Sequence, residues 1–165
     1  MAGAHRAASI SRRTTDAATG AIDRPRAGAM PPFRPPRPTR MIRVLIADDS
    51  DDLALVLAAV LDAEPGLACA GRVDTAAGVA DADVRAGADV VLLDLRLPGG
   101  GGMAAIGPLR AAAPHTGIVV HSGFTEPELV AEAERQGADA FLPKGCDIEE
   151  LFAVVKRVGG APRGG

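Results

Sequence analysis

Five residues of this chain have the types and the spacing to do chemistry together. Asp48 and Asp49 are adjacent, Asp94 follows 45 residues after Asp49, Ser122 comes 28 residues after Asp94, and Lys144 comes 22 after Ser122. Each stands at the end of a short apolar run or just beyond one: IRVLIA (42–47), DVVLLD (89–94), GIVVHS (117–122) and DAFLP (139–143). Three carboxylates converging on one crevice repel one another, and the arrangement is tolerable only with a compensating cation. All-oxygen ligation with room for water suits Mg2+ or Mn2+, and no His or Cys is placed to suggest zinc. Such a cation can hold a phosphoryl donor against a carboxylate and neutralise the charge that spreads over the equatorial oxygens. Ser122 and Lys144 would then bind two of those oxygens.

Taken singly, each residue has a plainer reading. An Asp or Ser after a strand ordinarily caps a helix or a turn, and a lone Lys there is a solvated loop charge. Asp51 and Asp52 keep that plainer role, since acids in a first helical turn favour the helix dipole. The joint reading rests on the coincidence of all five residues at the exits of four different strands.

The elements that must position them follow from periodicity. The four runs above and LACAGR (67–72) read as five short strands, and the first, third and fourth are apolar nearly throughout, as parallel strands covered on both faces are. Helical stretches are predicted near 51–63, 74–86, 103–113, 126–136 and 148–158. Thr125–Glu128 and Asp147–Glu150 each fit a capping box, an N-cap oxygen with Glu three residues on. The last helix places Ile148, Leu151, Phe152, Val155 and Val158 on one face, which suits packing on a sheet. Five strand–helix units imply right-handed crossovers and a doubly wound parallel sheet, whose ligands bind in the crevice at the C-terminal strand ends.

Composition narrows the function classes. Apolar residues make up 47 % of the 165 but aromatics only 2 %, with no Trp or Tyr, so one core of Val, Leu, Ile and Ala is expected. No apolar run approaches the roughly 18–20 residues needed to cross a bilayer, and no signal-peptide core follows the N-terminus. Cys69 and Cys146 lack metal-ligand spacing and read as free thiols of a reducing compartment. A cytoplasmic location away from membranes is therefore expected. Residues 1–40 carry eight Arg and two Asp, a charge of +6, whereas 41–165 carry −9. The acidic part argues against a nucleic-acid surface of its own. The basic part ends in MPPFRPPRPTR (30–40) and has no periodicity. It reads as a disordered extension, or as sequence upstream of a true start at Met41; a basic anchor and a transit peptide are the other readings. The expected organisation is an extension over 1–40, one domain over 41–160 and a short flexible tail over 161–165. With only Gly159–Gly165 after the last helix, no DNA-binding domain is expected in this chain.

The motifs VLIADDS (44–50), VVLLDLRLPGGGG (90–102), VVHSGF (119–124) and GADAFLPKG (137–145), in this order and spacing, resemble the receiver domain of two-component response regulators, over about 41–160. The resemblance implies a flavodoxin-like sheet of order 2-1-3-4-5. It also implies a phosphorylation-dependent switch served by a sensor histidine kinase or a phosphotransfer protein. By resemblance, Asp94 is the phosphoacceptor, Asp49 a direct metal ligand, and Asp48 an orienting acid acting partly through a metal-bound water. Arg96 would lend its backbone carbonyl to the metal. Ser122 matches the switch hydroxyl, Lys144 the site lysine, and Phe141 an aromatic switch residue that rotates inward from an exposed position. The surface over 126–158 would then change shape and could pair with a second copy or a partner.

Pro98 and Gly102 match the loop after the acceptor strand. The run Gly99–Gly102 otherwise reads as a loose surface loop, with a specific role in gating phosphate access as the other reading, and His121 is expected to point away from the site. Gly145 stands where many relatives have proline, so a cis peptide is not expected there.

Three other functions compete. A receiver that binds partners without phosphorylation would share the fold. A phosphohydrolase with Asp94 as nucleophile needs a second Asp two residues on, where Arg96 stands. A dinucleotide-binding domain needs a GxGxxG after the first strand, where Asp48 and Asp49 would repel pyrophosphate.

Overall fold

The computed structural model describes residues 40–161; the extension expected over 1–40 lies outside them except for Arg40, and the expected tail except for Ala161. Five strands, β1 (Ile42–Ala47), β2 (Leu67–Val73), β3 (Val90–Leu93), β4 (Gly117–Ser122) and β5 (Ala140–Pro143), form one sheet in the order β2-β1-β3-β4-β5. Every pairing is parallel. The five helices are α1 (Asp51–Ala63), α2 (Val79–Ala86), α3 (Gly102–Ala112), α4 (Pro127–Gln136) and α5 (Ile148–Gly160). This is the expected flavodoxin-like arrangement.

Alternation along the buried strands divides the core into two layers. Leu45, Val91, Leu93, Ile118 and Val120 pack with Val79 of α2, Ile106 and Leu109 of α3 and Ala133 of α4. Val44, Ile46, Val90, Leu92, Val119 and Leu142 pack with Leu57 and Leu61 of α1 and with Leu151, Val155 and Val158 of α5. Both faces of the sheet are therefore covered, which is why β3 and β4 tolerate no polar residue before their C-terminal ends.

Three expectations need correction. The segment expected to be one helix over 74–86 is a 3-10 turn (Ala76–Gly78) followed by α2. Ala76 gives its N–H to the Pro98 carbonyl at 3.0 Å, so the first turn is tied to the β3–α3 loop instead of to helix. Neither expected capping box forms. Glu126, not Thr125, caps α4, and Asp147 caps α5 without a side-chain bond. Pro127 opens α4 with no N–H to satisfy, and both helix starts are exposed, so water can serve the free donors. Among the described residues, the helix side-chain cap that does form is at α1, where Ser50 Oγ accepts from Leu53 N at 3.4 Å. On α5, Ile148 is exposed instead of joining the buried face.

Two polar clusters fix the elements around the sheet. Arg110 of α3 donates to the carbonyls of Thr116 (2.8 Å) and Gly137 (2.6 Å) and to Asp139 (2.9 Å), joining α3 to the start of β4 and the end of α4. Asp83 of α2 is 1 % exposed and accepts from the Thr116 hydroxyl at 2.9 Å. Among the described residues, its Oδ1 is the buried side-chain oxygen left without a partner. Burial raises the Asp83 carboxyl above its ordinary value; the Thr116 hydrogen bond opposes this and the charge of Asp89 adds to it. A carboxyl raised in the folded state binds its proton more tightly there than in the unfolded chain. Its contribution to stability is thus fullest in acid and is lost as pH rises through the folded value. Asp83→Asn keeps an acceptor for Thr116 and removes the charge. We expect it to raise the melting temperature at pH 7 by roughly 2–5 °C, the effect of about 1 kcal/mol in a domain of this size. The gap to wild type, followed by thermal melts at stepped pH, should close as the solution becomes acidic.

Candidate phosphoacceptor and metal site

Four strand ends deliver the site. Asp48 follows β1, Asp94 follows β3, Ser122 ends β4, and Lys144 follows β5. The backbone continues the sheet's bonding past the strands: Asp48 N donates to Val73 O at 3.1 Å, Asp94 N to Ala47 O at 2.8 Å, and Lys144 N to Ser122 O at 2.7 Å. Each functional residue is thereby held as firmly as the strand behind it.

Gly102 supplies the tightest constraint. It is buried, and a Cβ there would overlap the backbone carbonyl oxygen of Asp94. Its N–H donates to Leu95 O at 2.9 Å. The glycine run expected to be a loose loop therefore ends in a close approach of backbone to backbone directly behind Asp94, which no other residue permits.

The side chains then close on one another. Asp48 and Asp94 are each 2 % exposed. Lys144 Nζ lies 2.8 Å from Asp48 Oδ2 and 2.7 Å from Asp94 Oδ2. The remaining oxygens take backbone donors, Asp48 Oδ1 from Ser50 N at 2.9 Å and Asp94 Oδ1 from Arg96 N at 3.1 Å. Burial by itself would lower the pKa of the Lys144 ammonium. The hydrogen bonds and charges of Asp48 and Asp94 outweigh burial and hold it above its ordinary value.

Asp49 is exposed at the rim. Asp48, Asp49 and Asp94 each offer a carboxylate oxygen, all within 4.8 Å of one another. Against one ammonium these three acids leave two negative charges uncompensated. A hard divalent cation with oxygen ligands fits that donor set, and the exposed Asp49 side leaves room for water and a further oxygen.

Ser122 is fully buried, and its Oγ accepts from Phe124 N at 3.1 Å. Phe141, expected to start from an exposed position, is half-buried and packs against the core cluster of β4 and α3. Alternation on β4 sends His121 to the other face from Ser122, but not out of the site's field. It is 5 % exposed, and burial, then the charge of Lys144, lowers its pKa against the opposing pull of Asp48 and Asp94.

Sequence reasoning assigned no role to the side chains of Arg96 and Phe124. The Arg96 guanidinium lies 5.7 Å from the centre of the Phe124 ring. The signal was present in their positions, each two residues beyond a site residue on neighbouring strands. A cavity of about 610 Å3, lined by Ile42, Pro65, Gly66, Lys156 and Gly159 among others, opens at the opposite end of the strands and contains none of the site's carboxylates.

The response regulator receiver domain family matches residues 44–156. The sensory transduction protein RegX3 of Mycobacterium tuberculosis is 39% identical over 118 residues, 72% of this chain and 51% of that protein. The response regulator GacA of Pseudomonas aeruginosa is 29% identical over 118 residues, 72% of this chain and 55% of that one. The chain thus spans about half the length of these two relatives, and 24% of the transcriptional regulator NtrC of Escherichia coli. The response regulator domain of Thermotoga maritima CheB superposes with a TM-score of 0.69 at 25% identity, covering 75% of this chain and 100% of that domain.

Lys144→Met should leave two buried carboxylates facing each other without a counter-charge. We expect a loss of roughly 2–3 kcal/mol in chemical denaturation at neutral pH without divalent metal. Adding Asp94→Asn to that variant removes one of the two charges and should recover part of the loss. An unchanged midpoint in Lys144→Met would show that the ammonium contributes nothing to the fold.

Proposed function

The chain belongs to the family of response regulator receiver domains, and on that premise we propose that it is a signalling switch that carries a phosphoryl group on Asp94. The observation that supports this reading most is the state of the Asp94 carboxylate. It is buried, directly follows the middle strand, is oriented by Lys144 and the Arg96 N–H, and lies beside two further acids.

The donor is the phosphohistidine of a sensor histidine kinase or of a phosphotransfer protein. An oxygen of Asp94 bonds to phosphorus as the bond to the imidazole nitrogen breaks, the electron pair staying on nitrogen. Two hydrogen bonds fix the plane of the carboxylate, so little ordering remains to be done at the moment of transfer. Asp49, Asp94, the backbone carbonyl of Arg96 and, through a water, Asp48 would hold Mg2+ or Mn2+. That cation, when bound, neutralises charge on the phosphoryl oxygens. Lys144 exchanges a carboxylate oxygen for a phosphoryl oxygen. Ser122 accepts a hydrogen bond in the described state, and its own O–H is available to donate to another phosphoryl oxygen.

Output runs through the surface over 126–158. Withdrawal of Ser122 toward the phosphoryl group opens space beside β4, and Phe141, already packed at its edge, fills it. The altered face of α4, β5 and α5 then pairs with a second copy or a partner. A coupling of about 1–3 kcal/mol suffices for such a switch.

Incubation with Mg2+ and a small phosphodonor should add one phosphoryl group to the intact mass, labile to hydroxylamine. Asp94→Asn should abolish the gain, and a gain that persists in that variant would sink the assignment. Asp49→Ala should lose divalent-cation binding and phosphorylation while keeping its far-ultraviolet circular dichroism. Ser122→Ala should still accept phosphate, yet amide shifts over 126–158 should respond less to a phosphoryl mimic than in wild type. Equal responses in the two proteins would place the coupling elsewhere.

A further inference from the structure

We propose that Asp83 and Thr116 form a proton-operated latch between α2 and the sheet. When the Asp83 carboxylate takes up a proton from solvent, it becomes the donor to the Thr116 hydroxyl, whose own hydrogen turns onto the Ala88 carbonyl. Ala88 stands two residues before β3 and Thr116 directly before β4, so the latch lies at the N-terminal ends of the strands, opposite the carboxylate crevice.

Thr116 has one hydroxyl hydrogen and two acceptors for it. Its Oγ lies 2.9 Å from Asp83 Oδ2 and 3.2 Å from the Ala88 carbonyl oxygen. Beside an ionised carboxylate the hydrogen goes to the charge, since a bond to an anion is the stronger. The Ala88 carbonyl then receives nothing from Thr116. A proton on Oδ2 reverses the first bond and releases the hydroxyl hydrogen for the second. Both bonds then run in one direction, Asp83 to Thr116 to Ala88, with no heavy atom moved. Asp83 Oδ1 has no hydrogen-bond partner among the described residues, so a proton there would gain neither bond. Asp83, Thr116 and Ala88 are all buried, where each bond made or missed counts more than it does in water.

The charged groups around Asp83 leave it without a cation. Helix α2 packs on β1, β2 and α3. From β1, Arg43 places its guanidinium on the Ala86 carbonyl at 2.9 Å. From β2, Arg72 is paired with Asp51 at the other end of the strand. From α3, Arg110 bonds the Thr116 carbonyl. His115, beside Thr116, and Asp81 and Arg85, on α2 itself, are exposed. Asp89, next to β3, is paired with Arg40 and adds its negative charge. Among the described residues none of these cations pairs with Asp83, and burial dominates, raising the carboxyl above its ordinary value. The latch is therefore closed in acid and opens as pH rises through the folded value. Because Arg110 holds the Thr116 carbonyl together with Gly137 and Asp139, closure joins α2 to the cluster that anchors the end of α4.

The test follows the Asp83 side-chain carboxyl carbon and the Ala88 carbonyl carbon by NMR as the pH of the full-length protein is stepped. Both should move with one midpoint, above the ordinary value of an aspartate. Across it, hydrogen-exchange protection of the α2 amides, corrected for the intrinsic pH dependence of exchange, should fall about two- to tenfold, the factor of one net hydrogen bond. Thr116→Val removes the hydroxyl and keeps the shape. Asp83 should still titrate there, but the Ala88 carbon should no longer follow it, and Thr116→Ser should restore the response. In Asp83→Asn both the Ala88 carbon and the α2 protection should stay level across the same range.

An Ala88 carbon that ignores the Asp83 titration in wild type, or follows it equally in Thr116→Val, would overturn the latch. A response that persists in Asp83→Asn would have its source in His115 or Asp89 and would overturn it too. So would an Asp83 midpoint at or below the ordinary value, or an Asp83 carbon that does not titrate before the protein unfolds.

Discussion

Lys144 sets one positive charge between two carboxylates that are both almost wholly removed from water, and the C-terminal end of the sheet is organised around that contact. Asp48 and Asp94 come from strands that are neighbours, and without a cation between them their charges would drive β1 and β3 apart at that end. Lys144 arrives from the edge strand β5, carried there by its backbone bond to Ser122. One interaction thus ties together the middle of the sheet, its edge and the hydroxyl at the end of β4. With Asp49 at the rim, the site still holds more negative than positive charge. That excess makes it receptive to a divalent cation.

Around this charge cluster the loops are held by backbone geometry more than by side chains. Gly102 lets α3 begin against the carbonyl of Asp94, and the Ala76 N–H reaches across to the Pro98 carbonyl. The loop after Asp94 is therefore fixed at Pro98 and at Gly102. Between them, Gly99, Gly100 and Gly101 all take positive φ values, which only glycine adopts without strain. The glycine run serves a tight path between a strand and a helix that must start close to it.

The α4 side of the molecule is built differently. Helix α4 has Ala133 as its fully buried residue, whereas α3 buries Gly102, Ala105, Ile106 and Leu109. Arg110 holds the C-terminal end of α4 through the Gly137 carbonyl and Asp139, and its exposed N-terminus follows the loop that carries Phe124. A helix anchored at one end and lightly packed along its length is suited to change position when the loop before it moves.

The sequence by itself determined the layers of this fold and the residues that meet at its crevice. Apolar strands such as VVLL cannot be left uncovered, and their spacing by helical stretches leaves a parallel sheet as the solution, with Asp48, Asp94, Ser122 and Lys144 at its exits. It also set the charge excess, since residue types alone decide that. Capping was misread at Thr125 and Asp147, because at exposed helix starts water competes with the side chain. Gly102 was misread as slack because its tightness comes from the Asp94 carbonyl, a neighbour in space through a turn. The half-burial of Phe141, the field of Lys144 at His121 and the meeting of Arg96 with Phe124 were decided by tertiary structure alone. Each depends on distances across strands and loops, and pairwise forces between side chains act through those distances, not through positions along the chain.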